Sequence, residues 1–331
     1  MRKRLWIPSL SGKLLPVVLL TTSLMISSSA LAQDYPVKPV KFIVSNPPGG
    51  GTDTWARIVA EKLGAKWGQP VVVENRAGAA GNLGAEAVFR AEPDGYTLLF
   101  TAPPPLVVNK SLYARLAYDP DAFVPVSLVV TAPNVLLAHP GVDASDVRQL
   151  IAFAKSHPGK INYASGGSGS TLHLAAELFG SLAGVRLVHI PYKGSAPALA
   201  DLMGGQVHMM FMEIGSALPH IRSGRVRVLA VGGEKRSALL PGVPALSEIL
   251  PGFVSTVWFG VVAPSSTSSA IANKLSVAIA DALKQPDVAK RALDQSVETI
   301  GGTPVEMAQF LKQERERWGR LIRTTGTKAD F

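Results

Sequence analysis

The chain has 331 residues, no cysteine, and 33 Lys and Arg against 24 Asp and Glu, a formal net charge of +9. Without cysteine there are no disulfides, no thiolate metal sites and no lipid-modified cysteine to tether the protein. The positive surplus is not gathered into Lys/Arg runs interleaved with aromatics, which sets nucleic acid aside as a partner.

The first residues read as a targeting segment. Arg2, Lys3, Arg4 and Lys13 form a basic stretch, Leu14 to Ile26 is mostly apolar, and Ser27 to Ala32 is small, closing on Ala30-Leu31-Ala32. This three-part pattern is that of a secretory signal peptide over residues 1–32, with cleavage after Ala32. The apolar run is shorter than the ~20 residues of a spanning helix, and Pro16 weakens it further. Four basic and no acidic residues leave with it, so the mature chain carries 33 − 4 = 29 basic against 24 acidic, or +5. The expected product is a soluble periplasmic monomer, not inserted in the membrane after cleavage. At about 300 residues it can bury one large core or two lobes.

The mature chain alternates between β and α signals. Val40 to Val44 is a β-branched strand. Pro47-Pro48-Gly49-Gly50-Gly51-Thr52-Asp53 follows, and then Trp55, Ile58, Val59 and Leu63 recur at helical spacing. Thr52 or Asp53 is the expected N-cap. Val71 to Glu74 is a strand, Asn75 to Gly81 a small-residue loop, and Asn82 caps a helix that ends before Pro93. Tyr96 to Thr101 is a strand. Phe123 to Val130 and Asn134 to His139 are extended segments that carry the chain into a second α/β run. There Ser145 caps a helix through Lys155 and Ile161 to Ala164 is a strand. Ser165-Gly166-Gly167-Ser168-Gly169-Ser170 leads into a helix. Arg186 to Ile190 is a strand, and Pro191-Tyr192-Lys193-Gly194-Ser195 opens another helix. Val207 to Phe211 and Val226 to Val231 are strands, and Val257 to Ala263 returns the chain to the first lobe. Thr303 and Glu306 form a capping box with Pro304 at the first helical position, and the last helix reads as packing. Strands separated by helical patterns define an α/β fold whose lobes are mostly parallel sheets flanked by helices. The expected division is 33–133 with 257–331 as lobe 1 and 134–256 as lobe 2.

Three Gly/Ser loops thus stand between a strand and a helix start. Free amides at a helix start, with the positive end of the helix dipole behind them, suit a carboxylate or phosphate. In open α/β sheets ligands bind beyond the carboxyl ends of the strands, where such loops lie. One such loop alone is more often a plain turn; its recurrence in both halves makes the set a candidate site. The candidates are Pro48, Gly49, Gly50, Gly51, Thr52 and Asp53 on one side, and Ser165, Ser168, Ser170 and Thr171 on the other. Tyr192 and Lys193 face the variable end of the ligand. Asn82, at the helix start after the second small-residue loop, joins them.

An enzyme is the competing class. Gly166-Gly167-Ser168-Gly169-Ser170 approaches the G-x-S-x-G nucleophile elbow but lacks its last glycine, and His173 would be the base. His139, His157, His173, His189, His208 and His220 show no metal-ligand spacing. Gly78-Ala79-Ala80-Gly81-Asn82-Leu83-Gly84 lacks the G-x-G core of a dinucleotide fingerprint, and no Walker pattern occurs. The expectation is no catalytic residue, no metal and no cofactor.

Several stretches together carry a resemblance. They are Pro47 to Asp53 with Ala56-Arg57, Val73 to Asn82, Pro93-Asp94-Gly95-Tyr96-Thr97-Leu98, Asn162-Tyr163-Ala164-Ser165, His189-Ile190-Pro191-Tyr192-Lys193-Gly194, and Trp258-Phe259-Gly260. In this order and spacing the chain resembles the tripartite tricarboxylate transporter substrate-binding proteins, the Bug receptors. The resemblance implies a two-lobed periplasmic binding protein (type II) that closes on a small organic carboxylate and delivers it to the membrane subunits of a tripartite transporter. A periplasmic ligand sensor for a signalling partner would use the same fold. Where many members carry acids, this chain has His208 and Met212. Met212 then lines a pocket suited to an aromatic or aliphatic acid, or is a core methionine; Glu213, its strand neighbour, points to the other face. N-terminal sequencing of the exported protein should begin at Gln33; a membrane-retained chain with Met1 intact would overturn the signal-peptide reading.

Overall fold

The computed structural model describes residues 35–328; the segment read as a signal peptide lies outside them. In chain order the elements begin with β1 (Val40–Val44), α1 (Gly51–Trp67), β2 (Val71–Asn75), α2 (Asn82–Phe89), β3 (Thr97–Thr101), the short α3 (Asn109–Leu112) and the 15-residue β4 (Val124–Ala138). There follow α4 (Val147–Ser156), β5 (Asn162–Ser165), α5 (Thr171–Ala183), β6 (Val188–Pro191), α6 (Ser195–Met203), β7 (Met209–Glu213), α7 (Ile214–Arg222) and β8 (Arg227–Val231). The chain closes with β9 (Thr256–Ala263), α8 (Ser269–Leu283), α9 (Pro286–Gln295), β10 (Glu298–Thr299) and α10 (Pro304–Thr325). Among these helices none is long and apolar enough to cross a membrane.

Three expected caps move, those of α1, α4 and α2. α1 is capped by Gly50, with no side-chain bond, and Thr52 and Asp53 lie inside the helix. Asp53 reaches back from the first turn to accept the Gly49 N–H at 2.9 Å, so the helix starts earlier than a side-chain cap at Thr52 or Asp53 would allow. In α4 the cap is Asp146 rather than Ser145; Ser145 instead donates its N–H and hydroxyl to the Gln149 side chain. The capping box at the head of α10 is present as the sequence predicts.

The sheet order is β2-β1-β3-β9-β4-β7-β5-β6, with β10 and β8 also pairing with β4. β1 pairs parallel with β2 and β3, and β5 pairs parallel with β6 and β7. Between these two parallel groups run antiparallel β9 and β4. The two extended segments expected on either side of residue 131 are one continuous strand. Up to Pro133, β4 pairs with β9; from Asn134 it pairs with β7, and from Val135 with β8 as well. Each half therefore has its own sheet, and the molecule is two-lobed.

Both faces of the second sheet are covered, and period-two alternation sorts its side chains. Leu136, Ala138, Met209 and Phe211 join Phe179 and Phe253 in one core. Val135, Leu137, Met210 and Met212 join Leu199, Leu202 and Leu218 in the other. The first sheet packs Ile43, Leu99 and Val262 against Ala85, Val88, Met307, Leu311 and Trp318. On α10, buried Glu314 accepts from the indoles of Trp258 (3.1 Å) and Trp318 (3.0 Å), which fixes the helix on the sheet.

Where β4 changes partners, three backbones meet. Asn134 is fully buried; its side-chain amide donates to Ser255 Oγ at 2.8 Å and its N–H to Ser255 O at 3.1 Å. Gly232 donates to Asn134 O at 2.6 Å, and Ser255 donates to Gly232 O at 2.7 Å. A Cβ on Gly232 would stand 2.8 Å from Ser255 O and 2.9 Å from Asn134 O. Gly232→Ala must therefore part backbones, costing ~1–3 kcal/mol or more, while Asn134→Ala removes a buried hydrogen bond worth ~1–3 kcal/mol. Urea unfolding should give the order wild type, then Asn134→Ala and Gly232→Ala, and a Gly232→Ala protein as stable as wild type would contradict this account of the junction.

Candidate ligand cleft

The carboxyl ends of β1, β2, β3 and β5 point to a common cleft of roughly 370 Å³. One wall is Ser45, Asn46 and Pro47 after β1, the Ala77 to Gly81 stretch after β2, and Ala102, Pro104 and Pro105 after β3. The other wall is Gly166, Gly167, Ser168 and Ser170, between β5 and α5. No lining residue carries a charge. The helices α2 and α5 begin at this cleft and direct the positive ends of their dipoles toward it.

The β2–α2 wall has unusual backbone. Gly78, Ala79, Ala80 and Gly81 all have positive φ, at 135°, 47°, 52° and 86°. Two consecutive alanines in the left-handed region cost about 1–2 kcal/mol each, and such strain gathers at functional sites. The turn closes through Gly81 N–H to Gly78 O at 2.9 Å. It is anchored by Asn109, whose side-chain amide donates to Ala80 O at 3.1 Å and to Asn82 Oδ1 at 2.7 Å.

Of the residues singled out in the sequence, Ser168 and Ser170 line this cleft. Ser170 is also the α5 N-cap, its Oγ accepting the His173 N–H at 3.3 Å. Ser165 lies buried beneath the loop, its Oγ accepting the Gly167 N–H at 3.1 Å. Thr171 is the first residue of α5 and does not line the cleft. Asn82 is not an N-cap: Gly81 is, and Asn82 Oδ1 accepts from Tyr118 OH (2.7 Å) and Asn109, which commits it to holding the wall together. Tyr192 donates its hydroxyl to Asp201 at 2.7 Å; burial and Asp201 together push its pKa up to about 12. Lys193 is solvent-exposed. Met212 is a core methionine, packed in the second lobe opposite Val135. His208 ties the start of β5, accepting the Asn162 N–H on Nδ1 at 3.0 Å.

Pro48, Gly49, Gly50, Gly51, Thr52 and Asp53 also stand outside this cleft. The start of α1 faces the junction strands: a Cβ on Gly51 would come 3.0 Å from the Phe259 ring and 3.6 Å from Glu213 Oε2. Burial raises the pKa of Glu213. Asp53 serves its own loop, accepting from the Gly49 N–H, from Arg57 Nε at 3.0 Å and from Asn75 Nδ2 at 3.0 Å. Asn75 also donates to Asn46 O at 3.0 Å, which carries this order to the cleft wall.

The lining residues outside the sequence candidates are Ser45, Asn46, Pro47, Ala77, Gly78, Ala80, Gly81, Ala102, Pro104, Pro105, Gly166 and Gly167. Most of them offer backbone rather than chemically distinctive side chains, so residue-type reasoning passes over them. The Gly-Ala-Ala-Gly run was the available signal. In the nucleophile-elbow reading His173 is the base, but its Nδ1 accepts the Gly169 N–H at 2.9 Å and its Nε2 lies 3.9 Å from Glu177. Among the described residues no group of three or more His, Cys, Asp or Glu could hold a metal ion.

Two α/β lobes joined by crossing strands, with a cleft at the strand ends, define a two-lobed periplasmic-binding-type solute receptor fold. The model of the tripartite tricarboxylate transporter family receptor matches residues 55–327, and the chain belongs to that family. It is 40% identical to protein BugT of Bordetella pertussis over 306 residues, covering 92% of this chain and 94% of BugT. It is similar in structure to R. palustris Rpa4515 with adipate, with a TM-score of 0.81 and 33% identity over 90% of this chain and 100% of that one. It is likewise similar to MatC (Rpa3494) from Rhodopseudomonas palustris with bound malate, with a TM-score of 0.77 and 34% identity over 87% and 100%.

The Asp53 network has a pH signature. Burial raises the Asp53 pKa, but hydrogen bonds from Arg57, Gly49 and Asn75 outweigh it and hold the carboxyl below its ordinary value. A depressed folded pKa contributes stability above the unfolded value, ~3.9, that is lost as pH falls through the folded one. Asp53→Asn should therefore lower the melting temperature most near pH 7, and the gap to wild type should narrow below about pH 4. A gap that is constant with pH would contradict the assignment.

Proposed function

We propose that this chain is a periplasmic receptor that closes its two lobes on a small organic carboxylate and delivers it, as a monomer, to the membrane subunits of a tripartite transporter. The observation that carries the ligand class is the cleft: it has no charged lining residue, yet two helices start at it. An anion there is held by oriented amides and hydroxyls, without a countercharge. Each helix start contributes ~0.3–1 kcal/mol and each hydrogen bond to the charged group ~1.5–3 kcal/mol. A few together reach micromolar affinity, about −8 kcal/mol. Relatives with adipate and with malate bound support a carboxylate. The family and the N-terminal export pattern support the periplasm and the transporter partner.

We place one ligand carboxylate between the Gly78 to Gly81 turn and the hydroxyls of Ser168 and Ser170. The lobes divide as 33–133 with 257–331, and 134–256, with Asn134, Gly232 and Ser255 at the pivot. The lack of a lining carboxylate leaves nothing in the cleft to pair with a ligand ammonium, so acids without an amino group are favoured over aspartate and glutamate.

Calorimetry against adipate, malate, aspartate and adipamide tests this. The diacids should bind at micromolar affinity, aspartate more weakly and the diamide not at all. Ser168→Ala should weaken adipate by about tenfold, one charge-assisted hydrogen bond. Diamide binding as tight as the diacid, or turnover of a bound ester, would refute the reading.

A further inference from the structure

The second-lobe wall of the cleft rests on two stacked imidazoles. His173, in the first turn of α5, is 4% exposed, and its Nδ1 accepts the Gly169 N–H at 2.9 Å. Its ring lies 4.0 Å from that of His189 at 7°, and His189 lies 4.9 Å from Tyr163 at 17°. His189 Nε2 is 2.6 Å from Ser165 Oγ, which accepts the Gly167 N–H at 3.1 Å. The loop that presents Gly166, Gly167, Ser168 and Ser170 is thus held from below at Gly167 and at Gly169.

A backbone N–H only donates, so Nδ1 of His173 must carry a lone pair and its proton sits on Nε2. Protonation would turn Nδ1 into a second donor facing the Gly169 N–H, and that contact would break. The titratable groups facing the ring are His189 from β6, Tyr163 from β5 and Glu177 from the next turn of α5. Glu177 Oε1 lies 3.9 Å from His173 Nε2 and accepts the Tyr163 hydroxyl at 2.5 Å. β7 presents Met209 and Phe211 to the same core, and the charged residues of α10 line a separate groove with Leu178 and Leu182. Two cationic rings in face contact repel, so the pair takes up at most one proton readily.

We propose that neutral His173 is the positioning residue of the ligand loop: by holding the Gly169 amide it sets the Ser168 and Ser170 wall, and its protonation releases that wall and lowers ligand affinity. This rests on the reading of the cleft as the carboxylate site. Affinity is complete while the His173 ring is neutral and falls as pH drops through its titration. Adipate's own carboxyls titrate at about pH 4 to 5.5, and His173→Asn, which cannot titrate, controls for them.

The test uses the mature chain and two variants. His173→Asn places a carbonyl oxygen near the Nδ1 position and cannot titrate; His173→Phe keeps the stack and removes the acceptor. Ring ¹⁵N spectra without ligand should show an unprotonated Nδ1 on wild-type His173 at pH 8. The Gly169 amide resonance should move with the His173 titration in wild type and stay fixed in His173→Asn. Adipate affinity in wild type should fall with pH in step with the His173 titration followed in the same spectra. It should be flat in His173→Asn and about tenfold weaker at pH 8 in His173→Phe. An Nδ1-protonated tautomer, an unmoved Gly169 resonance, or a His173→Asn protein that keeps the wild-type pH slope would overturn the proposal. If wild type binds no adipate at either pH, the carboxylate reading fails, and the ligand-free spectra still decide the role of His173.

Discussion

The structure depends on the exchange of partners that β4 makes between Pro133 and Asn134. A single strand serves two sheets, so both lobes hang on one stretch of backbone and on its antiparallel neighbour β9. At that crossing Asn134, Gly232 and Ser255 satisfy one another's backbone groups with no room for a side chain at Gly232. A strand that must pair with β9 up to one residue and with β7 from the next tolerates no slip in register, since a one-residue shift would send Leu136 and Val135 to each other's cores. The same rigidity brings the ends of β1, β3 and β5 to one place.

Around the cleft, the residues with distinctive chemistry build the walls rather than line them. Asp53 is engaged with Gly49, Arg57 and Asn75; Asn82 with Asn109 and Tyr118; His173 with Gly169. What remains facing the space is backbone, three serines, an asparagine and small or proline side chains. The supporting side chains hold that backbone in conformations it would otherwise leave, most visibly the left-handed Ala79 and Ala80.

At the proposed carboxylate site charge would be handled by oriented dipoles. Amides and hydroxyls fixed at helix starts would give each ligand oxygen a specific partner without a countercharge, which suits a receptor that must give its ligand up.

The sequence by itself determined the alternation of strands and helices, the capping box at Thr303 and Glu306, the packing role of α10, and the family. These are written in local periodicity and in motif order, which need no knowledge of distant contacts. It also located Ser168 and Ser170, because a Gly/Ser loop before an amphipathic helix is a local signal. Only the tertiary structure decided that residues 124 to 138 form one strand shared by two sheets, since pairing partners lie more than a hundred residues away in β9. Only it decided that Met212 is core: strand alternation gives two faces but does not say that helices cover both. And only it turned the start of α1 toward Phe259 and Glu213, brought the Ala77 to Gly81 stretch into the cleft, and stacked His173 on His189. Those outcomes follow from how helices of fixed length pack on a twisted sheet, a long-range steric constraint with no local sequence mark.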